Sequence, residues 1–185
     1  MDTEWLDRPE LGAWVRLVAV LELLPSVLDT QLRRDADLLH FEYFTLAMLS
    51  EAPDRTLRMT ELARQTNATL PRLSHVVGRL EDRGFIERFP CPEDRRATNA
   101  RLTDAGWAKV QDAAPGHVAT VRRSVIDALA PEQVAQLTAI ADAILSRLDP
   151  TGTMAATYQR YDPEPERPAS GAASAQGGRP GIMGS

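Results

Sequence analysis

Cysteine and lysine are nearly missing from this chain: among its 185 residues Cys91 is the lone cysteine and Lys109 the lone lysine. A single thiol excludes an internal disulfide and any metal centre built on clustered cysteines. The three histidines, His40, His75 and His117, lie too far apart in sequence for a local ligand pair, so neither metal nor cofactor is expected. There is no uninterrupted run of about 18 apolar residues to span a bilayer. The acidic opening Met1-Asp2-Thr3-Glu4 also lacks the basic flank of a signal peptide, and the expectation is a cytoplasmic protein with no membrane partner. Phosphate-cradling glycine loops, Gly-x-Ser-x-Gly elbows and His/Cys metal spacings are absent as well. No catalytic residue is expected, and the chain reads as a non-enzyme.

What is present is arginine, unevenly placed. The whole chain carries a net charge of −5, yet residues 55–103 hold ten arginines against six acidic residues, a local +4 that leaves −9 elsewhere. A basic centre in an acidic protein points to a polyanionic partner for that centre, with the flanks facing water, a second subunit or a ligand. The length suits one domain with a full-sized core, taken here as residues 1–150. After Asp149 the composition turns to Pro, Ala, Ser and Gly, and residues 151–185 are expected to form a disordered tail.

The stretch from Thr69 to Gly106 organises the rest. Leu73, Val76, Val77 and Leu80 recur at helical spacing and define an apolar face; Arg72, His75, Arg79 and Asp82 fall opposite. Thr69 can cap this helix and Pro71 fits its first turn, where an amide has no partner to lose. Gly84 stops it. Phe85, Ile86 and Phe89 then alternate as a strand, Pro90 and Pro92 open a loop over residues 91–99, and Ala100 to Leu102 return as a second strand before Thr103 caps a new helix. The prediction is a mainly α protein with a small β-hairpin: a winged helix-turn-helix, in which a helix enters the major groove and the hairpin reaches the adjacent minor groove or backbone.

Three linked runs carry a family resemblance: Arg79-Leu80-Glu81-Asp82-Arg83-Gly84-Phe85-Ile86-Glu87-Arg88, then Asp94-Arg95-Arg96, then Leu102-Thr103-Asp104-Ala105-Gly106. Together they resemble the DNA-binding domain of the multiple antibiotic resistance regulator (MarR) family. The run Thr60-Glu61-Leu62-Ala63 matches the first helix of that family's helix-turn-helix, and Thr60 is expected to cap it. The resemblance implies a transcription regulator, usually a repressor, that binds a pseudo-palindromic operator in double-stranded DNA as a homodimer and releases it to a small aromatic effector. It implies DNA contact through Thr69, Arg72, Ser74, His75 and Arg79 on the helix and Asp94, Arg95 and Arg96 on the wing, with Asp94 pairing with and steadying Arg96. His75 and Gly78 depart from the commoner family residues, Arg and Asp. Some relatives sense oxidants through a cysteine near the N-terminus; Cys91 is not placed there, and no redox role is expected of it. A different reading of the same residues is a winged-helix module that docks a protein partner and never touches DNA.

At the chain ends, residues 10–35 read as a helix with Trp14, Val18, Leu21, Pro25, Leu28 and Leu32 along one seam, kinked at Pro25. Residues 104–148 read as helical to about Leu129, with a bend or break at Pro115-Gly116, and then as a last helix whose seam is Val134, Leu137, Ala141, Ile144 and Leu148. Such seams serve equally within one subunit or between two. The resemblance assigns them to dimerisation, through Trp14, Val18, Leu21, Val134, Leu137, Ala141 and Ile144, and leaves residues 39–103 as the DNA-binding lobe. Trp14, His40, Tyr43, Phe44 and Trp107 are candidates to line an effector pocket between the two regions. Tyr158 and Tyr161 are expected to be exposed.

Overall fold

The structure, a computed structural model, describes residues 4–160 except 93 and 95, together with residue 162. The elements in chain order are α1 (Arg8–Ala36), α2 (His40–Ser50), β1 (Thr56–Arg58), α3 (Met59–Gln65), α4 (Leu70–Asp82), β2 (Ile86–Pro90), β3 (Thr98–Leu102), α5 (Asp104–Ser124), α6 (Pro131–Leu148) and α7 (Ala155–Tyr158). The strands form one antiparallel sheet in the order β1-β3-β2. This is the expected winged helix-turn-helix.

α1 starts at a reciprocal cap: the Asp7 carboxylate accepts from the Glu10 amide and the Glu10 carboxylate from the Asp7 amide, each at 2.8 Å. The helix runs unbroken past Pro25 and ends at Asp37, whose φ of 49° is left-handed. By length and composition α1 is apolar enough to cross a membrane, contrary to the expectation that no such stretch exists. Arg16 and Glu22 interrupt the apolar run in sequence, which hid it, and most of this surface lies outside the chain's own core.

One core joins the helices to the sheet: Leu32 and Ala36 of α1, Leu46 and Leu49 of α2, Leu62 of α3, Leu73, Val77 and Leu80 of α4, Ile86, Ala100 and Leu102 of the wing, and Val110 and Ala113 of α5. The base of the wing is tied to α5 at Thr103. Its amide donates to the Phe85 carbonyl at 3.0 Å, and its hydroxyl donates to the Gly84 carbonyl at 2.7 Å while accepting from the Gly106 amide at 3.0 Å. Gly106 is dictated by the same contact, since a Cβ there would stand 2.1 Å from the Phe85 carbonyl oxygen. The Leu102-Thr103-x-x-Gly106 run is thus a joint between wing and helix.

Four boundaries differ from the sequence expectation. α3 is capped by Arg58 without a side-chain bond, not by Thr60, because the helix begins two residues earlier than a Thr60 cap implies, directly from β1. The hairpin extends further than the prolines suggested: Pro90 pairs with Thr98, and the Cys91 amide donates to the Ala97 carbonyl at 2.9 Å. Pro90 stands at the end of its strand, where a missing donor costs little. α5 neither breaks at Pro115-Gly116 nor reaches Leu129; it ends at Ser124, before a short 3-10 turn at Ile126–Ala128. Gly116 allows α1 to approach, since a Cβ there would lie 2.9 Å from Gln31 Nε2. Finally, the described chain beyond α6 turns back and packs on α3 through α7, with Tyr158 bonded to Asp149 instead of lying free. Tyr161 and residues 163–185, the bulk of the expected disordered tail, fall outside the described residues.

Candidate nucleic-acid interface

The helix-turn-helix consists of α3, a turn in which Asn67 takes a left-handed φ of 48°, and α4. Thr69 caps α4 by accepting from the Arg72 amide at 3.4 Å, a long bond. Leu73, Val76, Val77 and Leu80 are buried as their spacing demands. On the opposite side Thr69, Arg72 and His75 are exposed, and Ser74 and Arg79 are half-buried. The Arg72 guanidinium lies 4.5 Å over the Phe41 ring, an apolar rest that leaves its donors free.

Arg79 is otherwise engaged. Its Nε and Nη2 donate to Glu42 Oε1 at 3.2 and 3.0 Å, and Glu42 is a buried residue of α2. The other oxygen of Glu42 accepts from the Leu39 amide at 2.9 Å and lies 3.8 Å from Arg83 Nη1. Arg83 also donates to the carbonyl and carboxylate of Asp37, at 2.8 and 3.1 Å. Glu42 therefore pins the C-terminal half of α4 against α2, and Arg79 is a structural partner before it is a groove contact. Glu81 does the equivalent for the wing: its carboxylate accepts from the Arg88 amide and from Arg88 Nε, each at 2.8 Å, and from Arg88 Nη2. Those bonds hold its pKa below the ordinary carboxylate value. The Arg79-Leu80-Glu81 run thus supplies an anchor to α2, a core residue and an anchor to the wing. Sequence reasoning missed Glu42. Its position three residues after the Leu39 cap was a visible signal, but a partner 37 residues away was not.

At the wing tip Asp94 Oδ1 accepts from the backbone amide of Arg96 at 3.0 Å, and the Ala97 amide donates to the Asp94 carbonyl at 2.8 Å. Asp94 therefore shapes the turn. The expected pairing with the Arg96 guanidinium is not what forms: among the described residues no ion pair joins them, because a carboxylate two residues back reaches the amide more readily than the end of a long side chain. Arg96 is exposed, Arg95 falls outside the described residues, and Cys91 is buried beneath the tip. Across the hairpin Glu87 pairs with Arg101, whose guanidinium also lies 5.1 Å from the Phe89 ring.

Behind the helix-turn-helix, His40 and Tyr43 of α2 meet His117 of α5. The imidazoles are stacked with centroids 6.1 Å apart, and Tyr43 lies 4.6 Å from His117. Burial lowers the pKa of His40 against an opposing pull from Asp29, and lowers that of His117 with help from His40. An open cleft of about 450 Å³ beside them is lined by Pro25, Ser26, Asp29, His40, Phe41 and Arg72. Of the expected pocket residues only His40 lines it. Tyr43 is turned to His117, Phe44 packs on the core, Trp107 lies under Arg55 at 4.6 Å, and Trp14 is exposed on α1.

A helix-turn-helix with an arginine and a histidine on its outer face, flanked by an arginine-tipped hairpin, defines a winged-helix DNA-binding protein of the transcription-regulator class. The pattern of the MarR family matches residues 40–98. Sco3205 of Streptomyces coelicolor, a MarR family transcriptional regulator solved in complex with DNA, is 43% identical and superposes with a TM-score of 0.78, covering 81% of this chain and 94% of its own. AbsC, a MarR family regulator from the same organism, is 37% identical with a TM-score of 0.75, covering 79% and 98%. The transcriptional repressor YetL of Bacillus subtilis is 28% identical over 110 residues, a match spanning 55% of this chain and 66% of that protein. The chain belongs to the MarR family.

Proposed function

We propose that this DNA-binding transcription regulator acts in the cytoplasm as a homodimeric repressor on a pseudo-palindromic operator. The carrying observation is the free outer face of α4, with Thr69, Arg72, Ser74 and His75 aimed away from the core, beside the exposed Arg96 of the wing. α4 supplies base-edge and phosphate contacts in the major groove, and Arg96 with its neighbour Arg95 enters the minor groove. DNA-bound Sco3205 supports this assignment.

The second copy is called for by unpartnered apolar surface. Trp14 is 53% exposed, Leu21 61%, Leu137 45% and Ile144 38%, and no residue of α6 is buried within its own chain. Val18, Val134 and Ala141 lie half-buried along the same faces. A second set of α1 and α6 would cover these and set the two α4 helices one DNA turn apart, roughly 34 Å. The effector is an aromatic acid, seated in the cleft between α1, α2 and α4, where Arg72 can bind either a carboxylate or DNA. Binding there and on the operator are then reciprocally opposed.

The test is duplex titration at several salt concentrations, with fragments captured from genomic DNA by the full-length protein. Inverted half-sites and an affinity that falls steeply with salt are expected. Failure to enrich any sequence would overturn the reading, as would a monomer in sedimentation at micromolar concentration.

A further inference from the structure

The segment after α6 makes contacts that the dimer and DNA readings do not use. Asp149, at the end of α6, folds the chain back: its Oδ1 accepts from the Thr153 amide at 2.6 Å, and its Oδ2 from the Met154 amide at 2.8 Å and the Tyr158 hydroxyl at 3.2 Å. Gly152 takes the left-handed φ of 66° that this turn needs. The folded-back chain then meets the first helix of the helix-turn-helix. Arg64 Nη1 donates to the carbonyls of Gly152 and Thr153 at 3.2 and 2.6 Å, while its Nε and Nη2 hold Glu61 at 2.8 and 2.6 Å. The Thr157 hydroxyl donates to the Gln65 carbonyl at 3.1 Å, and Arg160 pairs with Glu51 just after α2.

α3 needs such help. With seven residues and no side-chain cap at its start, it is too short to hold itself; the Leu62, Ala63 and Arg64 carbonyls of its last turn accept from the Thr66, Ala68 and Asn67 amides, which leaves the Gln65 carbonyl to a donor from elsewhere. Thr157 supplies that donor. α3 in turn packs on α4, so whatever fixes α3 fixes the angle at which α4 is presented. We propose that Asp149, Thr157 and Arg160 are positioning residues for DNA recognition: Asp149 and Thr157 clasp the end of α6 to α3, and Arg160 ties the same segment to Glu51 at the end of α2, so that the helix-turn-helix keeps one orientation relative to the terminal helices. The inference rests on the DNA-binding reading and adds a second tie between the lobe and α6, independent of the α1 and α5 packing.

The full-length chain carrying Asp149→Ala, Thr157→Val and Arg160→Ala together is compared with the unsubstituted chain, using captured operator, a random duplex and amide hydrogen exchange. Exchange of the 62–66 amides is expected to rise about tenfold, the scale of one or two lost hydrogen bonds. Discrimination between operator and random duplex should fall about as much, with dimerisation and the salt slope of random binding unchanged, because a tilted α4 still meets phosphate. Thr157→Ser and Arg160→Lys, which keep the donors, should restore discrimination. Unchanged exchange in α3 overturns the clasp. Loss of operator and random binding in equal measure overturns the positioning role and leaves a general loss of stability. If the unsubstituted chain binds no duplex, the DNA reading itself has failed, and the exchange result still decides the clasp.

Discussion

Replacing Arg79 by alanine strips two hydrogen bonds from the Glu42 carboxylate and leaves that charge inside the protein with the Leu39 amide and a distant Arg83. Removing one partner of a fully buried ion pair costs about 3–5 kcal/mol. Here the Arg79 side chain is 41% exposed and Glu42 keeps other partners, so the expected loss is smaller, about 2 kcal/mol, close to a hydrogen bond with one charged member. That should lower the melting temperature by roughly 4–8 °C for a chain of this size. The assay is urea denaturation at fixed protein concentration, since dimerisation couples to stability. In a Glu42→Gln background, where no buried charge is stranded, the same substitution should cost less by about 1 kcal/mol, a coupling that a double-mutant cycle reads directly. The salt slope of operator binding should not change. Full stability in Arg79→Ala, with a slope reduced by about one unit, would refute this and restore Arg79 as a phosphate contact.

Acid should destabilise the protein through His40 and His117. Both pKa values are lowered on folding, so the unfolded chain takes up protons first, and stability falls as the pH drops from the ordinary value of 6.5 through the folded values. His117→Phe should flatten that dependence in denaturation curves measured between pH 7.5 and about 5. On the wing, Asp94→Ala releases the Arg96 amide and should weaken operator binding several-fold. Asp94→Asn keeps that acceptor while removing a negative charge near phosphate, and should bind at least as well as the unsubstituted chain; equal weakening by both, in fluorescence anisotropy, would assign Asp94 an electrostatic role instead. Trp14→Asp, placing a charge in the exposed seam of α1, should shift sedimentation toward monomer and abolish operator binding.

Periodicity and punctuation made much of the fold readable. Leu73, Val76, Val77 and Leu80 gave the buried face of α4, and Thr69, Gly84 and Thr103 gave its ends and the start of α5, because each of these signals is local. What could not be read were roles set by distant partners. Arg79 looks like any surface arginine until Glu42 arrives from another helix. Asp94 offers two acceptors in sequence terms, and only the turn decides that the amide takes one. Composition also misjudged residues 149–160: they are too poor in aliphatic side chains to form a core, yet hydrogen bonds to Arg64 and Gln65 lay them against α3.

The arginine pairing of the central segment has an electrostatic consequence. Arg55, Arg64, Arg79, Arg83, Arg88 and Arg101 each face a carboxylate of the same chain, while Arg72 and Arg96 are exposed. Ion pairing fixes where these charges sit without changing their sum: the ten arginines and six acidic residues of 55–103 still leave a net +4 that draws this lobe toward phosphate.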